Sequence, residues 1–493
     1  MRSFLLIPRL TIMDIPEWPA VEGPRILTLI GNDITVDIRS RKTAASLSRS
    51  GFSVIAMGVT SSRQAASIES HHGAFLCRYP ITEEFRSIPF IFRFSNESIK
   101  YLINCLVSYT GHQIKRGRIH RTETDERSIK AILGRYKSRT GMIFLKTKRK
   151  VLLGLLWFVS RRFSQMTWRS SWKWVLPEMH RYEKSLGPVV DQLKPDLIHV
   201  HDIFHLGLAA RAIQRASQNG RNIKLVYDIH EYIPGLPIEI RKRCGYEDLE
   251  NEYAHMADAL VTVSPGLKAL TEKRFSVPVT IVLNAPDLIS ATTTKPLREI
   301  VNISSEETLM VYVGGIAPHR GAELILKTMK GLNESIHLVF VSASMTGYIA
   351  TLKDRSIEMG IDGRVHFAPF VEPEAVVSYI SSADLSLIPL SRKIENYEVA
   401  LPNKLFQSIH AGVPVVVSNN PDMERFVRQS GIGEVFLGGD PLSMSEAISK
   451  VVNDPATYHV AIKDERLLSE TSWEHQIGLL LETYGNLGIS THE

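Results

Sequence analysis

Short apolar runs, each ending in a polar or glycine-containing break and followed by a helical stretch, recur along most of the chain. The first is Arg25-Ile-Leu-Thr-Leu-Ile30, continuous in the manner of a strand buried on both faces. Gly31-Asn32-Asp33 interrupts it, the following residues predict a helix over 41–49 stopped by Gly51, and 52–57 reads as a second strand. Strand, helix and strand in so short a span form a βαβ unit, which implies parallel pairing. The alternation returns with strands at 196–201, 224–228, 259–263 and 280–283 and a helix at 206–214. From Leu309 it restarts more regularly, with strands at 309–313, 336–341, 364–368, 384–388 and 414–417. The stretches between them, 321–331, 347–359, 373–381 and 401–410, each leave room for one crossover helix.

The Thr-rich polar segment 290–305 separates the two series and reads as a linker. The expected class is therefore α/β, with two Rossmann-like domains at 25–289 and 306–470 and a closing segment at 471–493. Composition agrees with a globular chain of 493 residues, 44% hydrophobic and 22% charged. Three scattered cysteines, Cys77, Cys105 and Cys244, offer neither a disulfide framework nor a CxxC metal site. The stretch MRSFLLIPRL is too short, and broken by Pro8, to read as a signal peptide, so a cytoplasmic setting is expected.

Charge changes this picture in one place. Residues 113–186 hold 19 Lys/Arg against 5 Asp/Glu, so this segment carries +14 while the rest of the chain carries −8. Trp157, Trp168, Trp172 and Trp174 lie in it, and about 84–186 reads as a basic, Trp-rich insertion in the first domain. Within it Lys146–Lys150 and Arg161-Arg162 flank the apolar run Val151–Val159. Nine apolar residues cannot span a bilayer, but cationic flanks and tryptophans suit a helix lying at anionic headgroups. The plain alternative is a core helix with solvated cations.

In open parallel sheets ligands sit beyond the carboxyl ends of strands. The residues there are Asn32, Asp33, Asp37, Arg39 and Lys42 after the first strand, His201-Asp202 after the third, and Asp228-Ile-His230-Glu231 after the Lys224 strand. Each has an ordinary reading too: a structural histidine for His201, a cap or turn for His230 and Glu231, a surface ion pair for Asp37 and Arg39. The second domain opens on VGGIAPHRG, in which Gly314 and Gly315 let backbone approach a phosphate and His319 or Arg320 supplies charge. Neither a P-loop nor a GxGxxG order is present, which excludes the common ATPase and dehydrogenase signatures. Pro402 suits a helix first turn, which would leave Asn403 and Lys404 as a second anion seat.

The set VGGIAPHRG, ALPNKLFQ, AGVPVVVS, VSPGLKAL, VLNAP and VHD…DIHE resembles family 4 of the retaining, nucleotide-sugar-dependent glycosyltransferases, from Arg25 to about Tyr484. The resemblance implies the GT-B fold, with two Rossmann-like domains facing across a cleft. It also implies transfer from a nucleoside-diphosphate sugar held by the second domain to an acceptor presented by the first. By position, His319 and Arg320 would contact the diphosphate and Asn403 and Lys404 would face the donor. Gln407 would stand where a ribose-binding glutamate is usual, and His201 beside the donor sugar. Ser472-Trp-Glu474 would begin the segment that crosses back to the first domain. Two positions depart: Gly315 replaces a frequent arginine, and the paired glutamates read Val399 and Gln407. An amide hydrogen bond to ribose is roughly half as strong as a carboxylate's.

The expected catalytic set is His201, Arg320 and Lys404, with Asp33, Asp37, Arg39, His230 and Glu231 toward the acceptor. No metal or other cofactor is expected, nor a nucleic-acid partner. The expected acceptor is a lipid-linked sugar or polysaccharide precursor met at the inner face of the membrane. A non-catalytic GT-B partner of an active transferase and a sugar-nucleotide epimerase remain alternative readings.

Overall fold

A computed structural model of the chain describes residues 16–60, 64–81, 171–288, 294–342 and 347–491. Residues Glu83–Val175 form a compact unit of their own, and everything below concerns the other unit, Met1–Thr82 with Leu176–Glu493, unless stated. The basic run 146–150, the apolar run 151–159, Trp157 and Trp168 lie outside the described residues. Of the remaining two tryptophans of that block, Trp172 is buried and Trp174 exposed. The helix Pro177–Leu193 belongs to the larger unit, so the insertion ends about ten residues before the expected 186. Its buried face, including Met179, Leu186 and Val190, is what ties it there.

Eight strands form the sheet of the first lobe: β1 (Arg25–Ile30), β2 (Ser53–Thr60), β3 (Ser67–His71), β4 (Ala74–Pro80), β5 (Leu197–His201), β6 (Lys224–Ile229), β7 (Ala259–Thr262) and β8 (Val279–Ile281). Their order is β3-β4-β2-β1-β5-β6-β7-β8, parallel except for the β3–β4 hairpin at the edge. β1, β5 and β6 are buried almost throughout, as continuous apolar runs in a doubly covered sheet must be. The second lobe has six parallel strands: β9 (Thr308–Val313), β10 (Ile336–Ser342), β11 (Val365–Pro369), β12 (Leu385–Ile388), β13 (Val415–Ser418) and β14 (Gly433–Phe436). Their order, β11-β10-β9-β12-β13-β14, is the doubly wound arrangement, with its switch point between β9 and β12. The equivalent reversal in the first lobe lies between β1 and β5.

Three local expectations shift. The first helix spans Ile38–Arg49, three residues longer than its apolar pattern, because Asp37 caps it by accepting from Ser40 N at 2.8 Å. The helix near 401–410 begins at Asn403 with Pro402 as its N-cap residue, not inside the first turn. Part of the polar linker is docked: the turn Leu297–Ile300 buries Leu297, and Arg298 pairs with Asp384 at 2.6 Å.

The two lobes are tied by the C-terminal helix Trp473–Asn486, which starts beside the second lobe and packs on the first. Ser472 caps it, and Trp473 donates through its backbone N–H to Pro286 O at 2.8 Å and through Nε1 to Ser46 Oγ at 2.9 Å. Leu480 and Tyr484 are buried with Ile26, Leu47 and Phe52 in the first-lobe core. None of the helices among the described residues is long and apolar enough to cross a membrane.

Since Trp473 is almost fully buried, Trp473→Ala leaves a large cavity and removes the indole hydrogen bond to Ser46. It is expected to cost about 3–5 kcal/mol, read by urea unfolding, with loss of amide exchange protection beginning in this helix.

Candidate functional site

Where the carboxyl ends of both sheets meet, a cavity of about 450 Å³ lies between the lobes. Asp202, His230 and Glu231 line it from the first lobe, and Gly314, Arg320, Asn403, Lys404 and Gln407 from the second. Val399, in the position of the missing first glutamate, lines it too.

The second-lobe wall is built by two glycines and a helix start. Gly314 takes φ +111° as the chain leaves β9, and a side chain there would stand 3.9 Å from Lys404 Nζ. Gly321 takes φ +84°, and a Cβ would lie 2.2 Å from Pro389 O, so only glycine lets this loop close on the end of β12. Lys404 sits in the first turn of Asn403–His410, a helix whose start has no side-chain cap. Its stem is half-buried, but Nζ is shielded from solvent and has no hydrogen-bond partner. A favourable neighbour is the Tyr312 ring, with Nζ 4.0 Å from its centroid. Burial, and then the Arg320 guanidinium, push the Lys404 ammonium down to about 7. A buried, unpartnered cation beside a second cation is costly unless an anion completes it. Gln407 follows one turn later on the same wall. Gly315 and His319 do not line the cavity; His319 is exposed at its rim, its ring stacked 6.1 Å from Tyr397.

On the first-lobe side the charges converge on Asp228, at the end of β6. Arg39 clasps it with Nε at 2.8 Å from Oδ2 and Nη2 at 3.1 Å from Oδ1, both residues being buried. His199, His201 and His230 stand 3.5, 3.2 and 3.2 Å from the same Oδ2. Burial alone would raise the Asp228 carboxyl, yet Arg39 and His230 hold it well below the usual range. Burial and then His201 push His199 down to about 4, so it is neutral and shares its Nδ1 with the Tyr484 hydroxyl at 2.6 Å. Burial also works against the charge on His230, but Asp202 and Asp228 raise it to about 10.

Arg39 is thus neither a cleft residue nor half of a surface ion pair; it is an internal counter-ion. His201 does not line the cavity either. It is fully buried, stacked on His199 at 4.4 Å, and His230 takes the place on the wall expected of it. Asp37 caps its helix, where burial acts to raise its carboxyl but the Ser40 N–H and the histidines hold it low. Asp33 closes a turn by accepting from Thr35 N at 3.0 Å. His199, His201 and Asp228 have the donor types of a metal site and lie within 4.8 Å of one another. The fit fails on Arg39, whose guanidinium already occupies both oxygens of the carboxylate, so a cation would meet a cation.

The lobes also touch across the cleft. Asn396 donates to the Glu231 carboxylate and accepts from Tyr232 N at 2.6 Å. Glu231 is open to the lumen, yet burial of its carboxyl by the walls raises it despite the Asn396 amide. Gly266 N donates to Asp422 Oδ2 at 2.6 Å, a contact that a Cβ on Gly266 would obstruct. Asn396 and Tyr312 carry no sequence signal of their own, since each meets the site only through a partner distant in the chain; Asp228 opens the DIHE motif, but its place between Arg39 and three histidines is visible only in the fold.

The model for Glycosyl transferases group 1 matches residues 293–467, and that for Glycosyltransferase Family 4 matches residues 157–288. The lipopolysaccharide 1,2-N-acetylglucosaminetransferase of Salmonella typhimurium is 25% identical over 64% of this chain and 79% of its own length. A D-inositol 3-phosphate glycosyltransferase of Mycolicibacterium smegmatis is 24% identical over 38% of this chain and 42% of its own. Among solved structures, sucrose-phosphate synthase from Thermosynechococcus elongatus superposes with a TM-score of 0.61 at 14% identity, over 95% of this chain and all of that one. Anabaena HepE in complex with UDP-glucose gives 0.57 at 12% identity, over 94% of this chain and all of that one. Two facing parallel-sheet lobes, and family matches that fall on both, place the chain in glycosyltransferase family 4, as an enzyme of the GT-B fold.

Proposed function

We propose that the protein transfers a sugar, with retention of anomeric configuration, from a nucleoside-diphosphate sugar bound on the second-lobe wall to an acceptor entering from the first. The observation that carries this is Lys404 Nζ, buried without a partner beside Arg320. The chemical barrier is departure of the diphosphate from the anomeric carbon. Arg320, Lys404 and the uncapped N–H groups of the Asn403 helix supply fixed positive charge where negative charge develops. Two protein cations at this position do the work a divalent ion would do, which supports a metal-independent transferase. Gln407 would accept or donate to the ribose, and Glu231 would orient the acceptor. Retention rests on the family resemblance and is tested by the anomeric NMR signals of the product.

The donor is identified by thermal stabilisation with UDP-, GDP- and ADP-sugars. Arg320→Ala and Lys404→Ala should each weaken the stabilising donor by about ten- to a hundredfold, the range of a charge-assisted hydrogen bond of about 1.5–3 kcal/mol. Unchanged affinity in both variants would remove the donor from this wall.

Lys404 also sets a pH dependence. In the free protein its ammonium loses its proton near pH 7, whereas a bound diphosphate stabilises the charged form and raises it. Donor binding therefore takes up a proton above neutrality. Affinity should be flat below about pH 6 and fall by up to tenfold per pH unit above about 7, the slope of one linked proton. Lys404→Arg, which stays charged, should flatten the profile. A calorimetric titration in buffers of different ionisation enthalpy measures the uptake directly.

The acceptor we propose is a lipid-linked sugar or polysaccharide precursor, met at an anionic membrane face. Support comes from the +14 segment and its tryptophans. The protein should co-sediment with vesicles containing an anionic lipid at low salt and be released by high salt. Equal recovery with neutral and anionic vesicles would exclude this.

A further inference from the structure

Asp202 has an unusual backbone for its residue type. It follows β5 with φ 60° and ψ 177°, a region that glycine occupies and that costs other residues of order 1–3 kcal/mol. Its N–H is held by Asp228 O at 3.0 Å, which fixes the strained turn to the end of β6. Its side chain lines the cavity and is about one-third exposed. One carboxylate oxygen, Oδ2, lies 3.3 Å from His230 Nδ1. Among the described residues the other, Oδ1, has no partner.

His230 explains why the carboxylate stays in place. Both of its ring nitrogens face carboxylates, Nδ1 to Asp202 and Nε2 to Asp228, an arrangement that is favourable only when both carry protons. The ring is thus committed on both sides and cannot serve as acid or base without breaking a pair. Asp228 is anchored in turn by Arg39. The chain Arg39, Asp228, His230, Asp202 ends on one free acceptor oxygen in a cavity whose opposite wall carries Arg320 and Lys404.

We propose that Asp202 is a specificity-determining residue that accepts a hydrogen bond from a hydroxyl of the sugar part of the nucleotide sugar. This rests on the donor reading above. A diphosphate seated on Arg320 and Lys404 leaves its sugar directed across the cavity toward the first-lobe wall. A carboxylate there favours a hydroxyl donor and disfavours a second anionic group. The backbone strain is maintained because the position serves binding rather than stability.

The test uses the full chain and the pairs UDP and UDP-glucose, GDP and GDP-mannose, ADP and ADP-glucose. Kd values are measured by calorimetry for wild type, Asp202→Ala and Asp202→Gly, with Tm recorded for each. For the pair that binds wild type, both variants should weaken the sugar nucleotide at least tenfold while changing the nucleoside diphosphate less than twofold. Asp202→Gly, which relieves the backbone, should keep a Tm at or above that of wild type. Equal weakening of both ligands with a lower Tm would make Asp202 a structural residue and overturn the proposal. Unchanged Kd for the sugar nucleotide would overturn it as well. If wild type binds none of the six, the donor site itself is wrong and the proposal falls with it.

Discussion

The buried ion pair of Arg39 and Asp228 is the constraint on which the first-lobe wall depends. It joins the first helix to the end of β6, residues 189 apart in the chain. Burying two charges is expensive, and removing one partner of such a pair costs about 3–5 kcal/mol because the other is left uncompensated. Apolar residues of similar size would serve stability as well. The pair instead supplies a carboxylate at a fixed place, and three histidine rings gather within 3.5 Å of it. His199 carries the linkage on to Tyr484, so the helix that closes the chain reports to the same carboxylate that orders the cavity wall.

The two walls use charge in opposite ways. On the first-lobe wall His230 lies between Asp202 and Asp228, Asp228 is held by Arg39, and Glu231 accepts from Asn396, so the wall is pre-organised. On the second, Lys404 and Arg320 have no carboxylate partner among the described residues, and burial lowers the ammonium of Lys404. An internally satisfied wall binds by shape and hydroxyl hydrogen bonds, whereas an unsatisfied one draws in an anion. The proposed seat of the donor diphosphate on the second lobe rests on that asymmetry. Val399 and Gln407, which stand where the resemblance implies paired glutamates, both lie on the cavity lining. The contacts of Asn396 with Glu231 and Tyr232, and of Gly266 with Asp422, join the two lobes beside the cavity.

The chain by itself determined the class of fold, because continuous apolar runs alternating with helical stretches admit few arrangements other than parallel sheets. It also pointed to the loop after β9 through glycines at 314 and 315 and to the LPNK start, although only Gly314 of the pair lines the cavity and the need for glycine at 321 comes from Pro389. Its failures share one cause. Arg39 next to Asp37 resembles a surface pair until the sheet brings Asp228 alongside it. His201 and His230 are equivalent as letters, and only the direction of each side chain at its strand end makes one buried and the other part of the cavity. The hairpin β3–β4 and the helix Pro177–Leu193 lie on either side of residues 83–175, outside the two alternating series of strands and helices. Local periodicity and backbone demands are written in sequence. The pairing of charges, the burial of an ammonium and the strained turn at Asp202 arise from residues distant in the chain, and tertiary structure alone decides them.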